Sequence, residues 1–221
     1  KCLDQFLADW ERWQLAEMFG RPEDYFRACL SANAAQRTLG LNALRSNPTL
    51  IGYSMTGLFD HAGCGEGLIT MFRDLKPGIL DAMRDGWAPL RWCLFVTPLH
   101  GYSGRPIEIE AVLANEDVLK PGRYPVIFRI WGKQGVVWEK RMRMSLPATG
   151  KSGMPPLAVP VLKTRLRLDL PAGEYVFAAS LEQGGSPAGD RRPFRLTEAA
   201  KLPRLKGAVT LWGVAAKARH W

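Results

Sequence analysis

From Pro89 onward the chain alternates apolar and polar residues with a period of two. Ile107, Ile109, Ala111 and Leu113 fall on one side of their run, and Glu108 and Glu110 on the other. Leu162, Thr164, Leu166, Leu168 and Leu170 alternate with Lys163, Arg165, Arg167 and Asp169, and Met142 and Met144 alternate with Arg141 and Arg143. This period marks strands with one face in a core and the other in water. It predicts seven strands: LRWCLFV, RPIEIEAVLANE, GRYPVIFRIWG, GVVWEKRMRMSL, VPVLKTRLRLDL, GEYVFAASLEQG and RRPFRLTE. Lys120-Pro121-Gly122 and Pro171-Ala172-Gly173 between them carry turn chemistry.

Before Gly86 the period is helical. PEDYFRACLSANAAQRTLGLNALRSNP predicts a long helix, with Pro22 at its first position, Glu23 and Asp24 at the positive end of its dipole, and Pro48 closing the segment. Tyr25, Phe26, Cys29, Leu30, Leu41 and Leu44 form its apolar band; Asn33 and Arg37 fall within that band as a polar contact at the core edge. TLIGYSMT reads as a short buried strand, apolar on both faces as in a helix-covered parallel sheet. KPGILDAMRDG is a further helix, opened by Pro77 and closed by Gly86. One parallel strand needs neighbours on both sides. The expected organisation is therefore the tail of a larger α/β domain over residues 1–88 and an immunoglobulin-like antiparallel β-sandwich over 89–198. Residues 199–221 read as a basic linker or the start of a further domain.

Composition narrows the reading. The hydrophobic fraction of 47% suits a core-forming protein. No apolar stretch reaches membrane-spanning length, no cleavable leader is visible, and no membrane partner is expected. The chain opens on Lys1 rather than Met, as a processed protein or a piece of something longer would. The four cysteines, Cys2, Cys29, Cys64 and Cys93, form no CxxC pair; Cys29 and Cys93 sit in apolar segments and read as buried thiols. The net charge of +9 invites a nucleic-acid reading. The basic residues instead mark outward strand faces, with no recognition helix or RNP-like aromatic motif, so no nucleic-acid partner is expected.

The stretch RSNPTLIGYSMTGLFD, followed by GEGLITMFRDLKPG and APLRWCLFV, resembles the C-terminal end of the catalytic barrel in glycoside hydrolase family two and its β-galactosidase-like relatives. The matching residues are Asn47, Pro48, Gly52, Tyr53, Thr56, Asp60, Phe72, Arg73, Lys76 and Pro77. The motif match runs from about Arg45 to Pro98 and continues through the sandwich only as a domain type. The resemblance implies the terminal strand and helices of a (β/α)8 barrel, with TLIGYSMT as the eighth strand. The mouths of barrel strands build active sites. Tyr53, Thr56, Asp60, His61 and Glu66 would then rim a sugar pocket, binding carbohydrate without carrying out the chemistry. The family's two catalytic glutamates belong to the fourth and seventh strands, which the resemblance does not place in this chain. No catalytic residue, metal or cofactor is assigned.

The function implied is the C-terminal portion of a retaining glycoside hydrolase acting on β-linked sugars, inactive as an isolated chain and partnered by the rest of the barrel. The rival is a noncatalytic structural or carbohydrate-binding sandwich protein. Three local alternatives stand beside these. The EMFG stretch, Glu17 to Gly20, echoes the family's nucleophile motif with an extra residue and in a helical context. Asp60 and Glu66 form a candidate carboxylate pair. Asp60, His61, Cys64 and Glu66 offer acceptable metal-ligand types at an unfamiliar spacing.

Overall fold

The computed structural model describes residues 2–50, 52–61, 65–148 and 155–202. Its fold is mixed α and β. Helices α1 (Cys2–Arg12), α2 (Ala16–Phe19), α3 (Pro22–Arg45) and α4 (Ile79–Gly86) precede all the strands. α3 starts where its sequence predicts: Arg21 is extended, Pro22 opens the first turn, and Asp24 bonds Arg27 at 2.6 Å and Arg21 at 3.2 Å. α1 lies against α3 through aromatic rings, with Phe6 stacked on Phe26 at 5.2 Å and Trp10 edge-on to Tyr25 at 6.3 Å. α3 and α4 approach so closely that a Cβ on Gly86 would stand 2.1 Å from Leu41 Cδ1. Glycine permits this contact. Leu41, Leu68, Ile79 and Met83 form the small core of this half.

The structure departs from the sequence expectations at two places. Residues 52–57 are irregular rather than a strand, and Ile51 lies outside the described residues. A strand needs a ladder for its N–H and C=O groups, and none lies alongside among the described residues. Cys29 is exposed rather than buried, because α1 covers this side of α3 only in part; Phe26, stacked on Phe6, is itself still half exposed. Cys93 is buried as expected, and burial raises its thiol pKa above the ordinary value. The basic segment ending the chain falls outside the described residues from position 203 onward.

The seven alternating runs form β1 (Leu90–Thr97), β3 (Pro106–Asn115), β4 (Gly122–Gly132), β5 (Gly135–Leu146), β6 (Ala158–Arg167), β7 (Gly173–Leu181) and β8 (Arg191–Thr197). A further strand, β2 (His100–Tyr102), is too short for any period to reveal. The strands make two sheets, ordered β1-β3-β6 and β2-β8-β7-β4-β5, antiparallel throughout except that β2 runs parallel to β8. Both sheets feed one core: Trp92, Leu94, Ile109 and Leu113 from the first meet Phe128, Ile130, Phe177 and Leu196 from the second. Trp92 contacts Phe128 edge-on at 5.7 Å. β4 and β7 are anchored by the same device. The Tyr124 hydroxyl donates to Lys120 O at 2.8 Å, and the Tyr175 hydroxyl to Pro171 O at 2.7 Å.

β1 is buried on both faces, which accounts for its continuous apolar run. α3 docks beside it through polar groups. Arg91, 1% exposed, donates to Asn42 Oδ1, to Asp85 O at 3.1 Å and to Trp92 O at 3.4 Å. Asn42 Nδ2 in turn donates to Leu94 O at 3.1 Å. Arg45 reaches Gly86 O at 2.9 Å, Ala88 O at 3.2 Å and Glu116 Oε1 at 2.8 Å. The outer strand faces are paired as well: Lys163 meets Glu110 at 3.0 Å and Glu108 at 3.3 Å, and Glu139 bridges Arg129 at 2.7 Å and Arg141 at 2.8 Å.

Asn42→Leu leaves a buried guanidinium short of an acceptor, so it is expected to lower stability by about 1.5–3 kcal/mol in urea unfolding. Adding Arg91→Met in the same chain removes the stranded charge and is expected to recover part of that loss. A double variant less stable than Asn42→Leu alone would show that Arg91 stabilises through other contacts.

Candidate functional site

The segment between α3 and α4 folds into a cross-tied loop. Leu68, 2% exposed, plugs it into the core beneath Ile79 and Met83. Short bridges hold its limbs, Phe59 to Ile69 and Ile69 to Leu75. The backbone bonds Asp60 N to Ile69 O at 2.8 Å and Lys76 N to Leu68 O at 3.2 Å fasten them further. At the centre Asp60 Oδ1 accepts from Lys76 Nζ at 2.7 Å and from Gly67 N at 2.8 Å. The same ammonium donates to Gly65 O at 2.7 Å. Lys76 is buried and Asp60 largely so. The chain at 59–60 passes so near Gly67 that a Cβ there would lie 2.5 Å from the Asp60 nitrogen, so position 67 requires glycine.

A second tie comes from α3. Arg37 donates to Glu66 O and, at 3.0 Å, to Asn33 Oδ1; its other terminal nitrogen rests 3.9 Å from Met55 Sδ. Asn33 and Arg37 thus make the edge-of-core polar contact that their place in the apolar band predicts. The Arg73 guanidinium lies 4.3 Å over the Phe59 ring.

The five residues expected to bind sugar occupy different places. Asp60 sits in the Lys76 pair, with its acceptor oxygen engaged inside the loop. Thr56, His61 and Glu66 are exposed. Glu66 lies over Gly57, where a Cβ would come 3.0 Å from its Oε1. Tyr53 is elsewhere: it stacks on Trp87 with ring centroids 6.5 Å apart. The two rings line a cavity of about 290 Å³ with Arg45, Asn47, Glu116 and Leu157, none of the other four among them. Asp60 and Glu66 therefore take up separate roles, one as an ion-pair partner and the other as a solvent-facing side chain. No three His, Cys, Asp or Glu side chains gather as metal ligands among the described residues, and Cys64 lies outside them. Glu17 is exposed on the short helix α2. Trp87 escaped the sequence reading; its only signal is an aromatic residue directly after the glycine that ends α4.

The Lys76 ammonium holds the Asp60 carboxyl below the ordinary aspartate pKa, partial burial opposes it, and the Gly67 amide adds to the lowering. A carboxyl whose folded pKa is depressed stabilises the fold above its unfolded value. That contribution is lost as pH falls through the folded value.

No family model matches the sequence, and no curated protein matches it. Among solved structures, a Pseudomonas fluorescens alkylpurine DNA glycosylase, AlkC, bound to DNA containing an abasic-site analogue, is similar over 54% of this chain and 34% of its own, at 17% identity and a TM-score of 0.36. A glycosyl hydrolase family 2 member from Bacteroides cellulosilyticus is similar over 48% of this chain and 15% of its own, at 18% identity and a TM-score of 0.34. A Parabacteroides merdae β-glucuronidase is similar over 49% and 14%, at 8% identity and a TM-score of 0.32. The chain spans about a third or less of each of these proteins. Likenesses this slight carry no argument about activity.

The Gly67 amide proton reports on the Asp60 pair directly. Its chemical shift is expected to titrate with a midpoint below about 3.9, the ordinary aspartate value. Lys76→Met, which keeps the packing and removes the charge, is expected to move that midpoint upward. An unchanged midpoint in the variant would mean that the ammonium does not hold the carboxylate.

Proposed function

We propose that this chain is the noncatalytic C-terminal portion of a retaining glycoside hydrolase acting on β-linked sugars. In this reading residues 1–88 complete a (β/α)8 barrel, and 89–198 form an immunoglobulin-like sandwich that buttresses it. The observation that carries the reading is the meeting of Asp60 with Lys76 at 2.7 Å. Both belong to the glycoside-hydrolase-like motif, sixteen positions apart, and together they close the loop that the motif brackets. The strand order, the parallel β2–β8 pair and the Tyr175 hydroxyl bonded back to Pro171 O support the immunoglobulin-like assignment of the sandwich.

The surface supports a partner for the helical half. Of the 21 large apolar side chains exposed among the described residues, fourteen precede Pro89, including Phe72 at 78% and Trp87 at 50%. Such a concentration of exposed apolar surface is what packing on other protein would leave uncovered in this chain. The irregular segment 52–57 is assigned to the barrel's last strand, gaining its ladder from barrel neighbours. Retaining hydrolysis needs two carboxyl groups about 5–5.5 Å apart. Here the Asp60 carboxylate is committed to Lys76, so the proposed acid and nucleophile lie on other strands of the barrel. Asp60 then acts by holding the loop, while Thr56, His61 and Glu66 face the sugar and Tyr53 packs on Trp87.

The isolated chain is expected to show no turnover of chromogenic β-glycosides. Turnover abolished by Asp60→Asn or Glu66→Gln would overturn the reading and make those carboxylates catalytic. In the complete enzyme, Asp60→Ala and Thr56→Val are each expected to lower kcat/KM by roughly ten- to a hundredfold, the cost of one charged or positioned hydrogen bond. Unchanged kinetics in both variants would place the loop away from substrate.

A further inference from the structure

β8 breaks its own pattern. Residues Arg192, Phe194 and Leu196 turn inward and Arg191, Pro193 and Arg195 turn outward, so a guanidinium occupies an inward position between apolar neighbours. A polar residue at a core position violates the alternation that otherwise defines this strand, and such violations concentrate at functional sites. Arg192 is 7% exposed, and its Nε is buried without a hydrogen-bond partner among the described residues. No carboxylate pairs with it among those residues. Burial drives its pKa below the ordinary arginine value. Buried charges are normally paired, and a buried unpaired donor calls for an acceptor.

An opening adjoins it. Arg192 lines a cavity of about 280 Å³ where α3 meets the sandwich, walled by Leu39, Phe95, Pro98 and Leu99, with Thr97 beside them. Among the described residues it is the only charged one in that lining. One forked cation within apolar walls suits a planar carboxylate, which the guanidinium can grip with two hydrogen bonds. A phosphate dianion would require more donors than this lining offers. The volume, near the lower limit for small-molecule sites, suits a compact ligand.

We propose that this cavity binds a small organic monoanion, a carboxylate carried on an apolar body, with Arg192 as its anchor. The site is separate from the Asp60 loop and does not depend on the glycosidase reading. Benzoate is the probe, with benzamide as its neutral isostere and sulfate as a compact anion. Benzoate is expected to shift the backbone amides of Phe95, Thr97 and Leu99 saturably. At ten times its Kd it is expected to raise the thermal midpoint by roughly 3–6 °C. Benzamide and sulfate are expected to leave both unchanged. Arg192→Met is expected to abolish the response while unfolding at or above the wild-type midpoint, because the unpaired charge is gone. Arg192→Lys is expected to bind benzoate more weakly, having lost the fork but not the charge.

An equal response to benzamide would reduce the site to an apolar hole. An equal response to sulfate would make Arg192 an unselective surface cation, and no saturable response before the solubility limit would mean there is no site. Arg192→Met unfolding well below wild type would show that the guanidinium is already satisfied. Each of these results overturns the proposal.

Discussion

The arrangement of the two halves depends on one buried guanidinium. Among the described residues Arg91, on β1, forms no hydrogen bond to a carboxylate, and its donors go to a side-chain amide and to backbone carbonyls. A charge out of water is tolerable only while those acceptors stay in place. Asn42 is the critical one, because its amide takes the Arg91 bond on one side and returns a bond to β1 on the other. Sliding α3 along the sandwich would break both at once. Apolar packing alone would tolerate several positions of a helix on a sheet; the polar set selects one.

The loop between α3 and α4 uses the same logic at smaller scale. With no sheet to join among the described residues, its backbone is fastened by single bridges and by side chains that reach across it. Lys76 from across the loop and Arg37 from α3 each bind a backbone carbonyl, at Gly65 and Glu66. The Asp60 carboxylate compensates the buried ammonium. Such a loop is packed at its root, around Leu68 and the ion pair, and open at its rim, where Thr56, His61 and Glu66 meet solvent.

Arg192 provides the contrast. Arg91 and Arg192 are both buried, and burial lowers both pKa values. Arg91 has its acceptors within the fold and serves the architecture. Arg192 lines a cavity, and its buried Nε has no hydrogen-bond partner among the described residues. Equivalent chemistry thus does different work according to what the surrounding strands and helices bring near it.

The sequence alone determined seven of the eight strands and the helices α3 and α4, because their signals are local. Period-two alternation, turn residues such as Pro171-Ala172-Gly173 and the proline opening α3 act over a few residues, and the tertiary structure left them in place. It also indicated that Asn33 and Arg37 make a polar contact at the core edge. Tertiary structure decided the rest. Residues 52–57 carry an apolar, strand-like pattern, yet strand pairing requires a neighbour that the pattern cannot supply. Cys29 has the spacing of a buried residue, but burial depends on whether another element covers that face of α3. Asp60 and Lys76, or Asn42 and Arg91, meet across separations that no local period encodes. The inward place of Arg192 follows from the alternation of β8; whether a buried guanidinium finds an acceptor depends on everything folded around it.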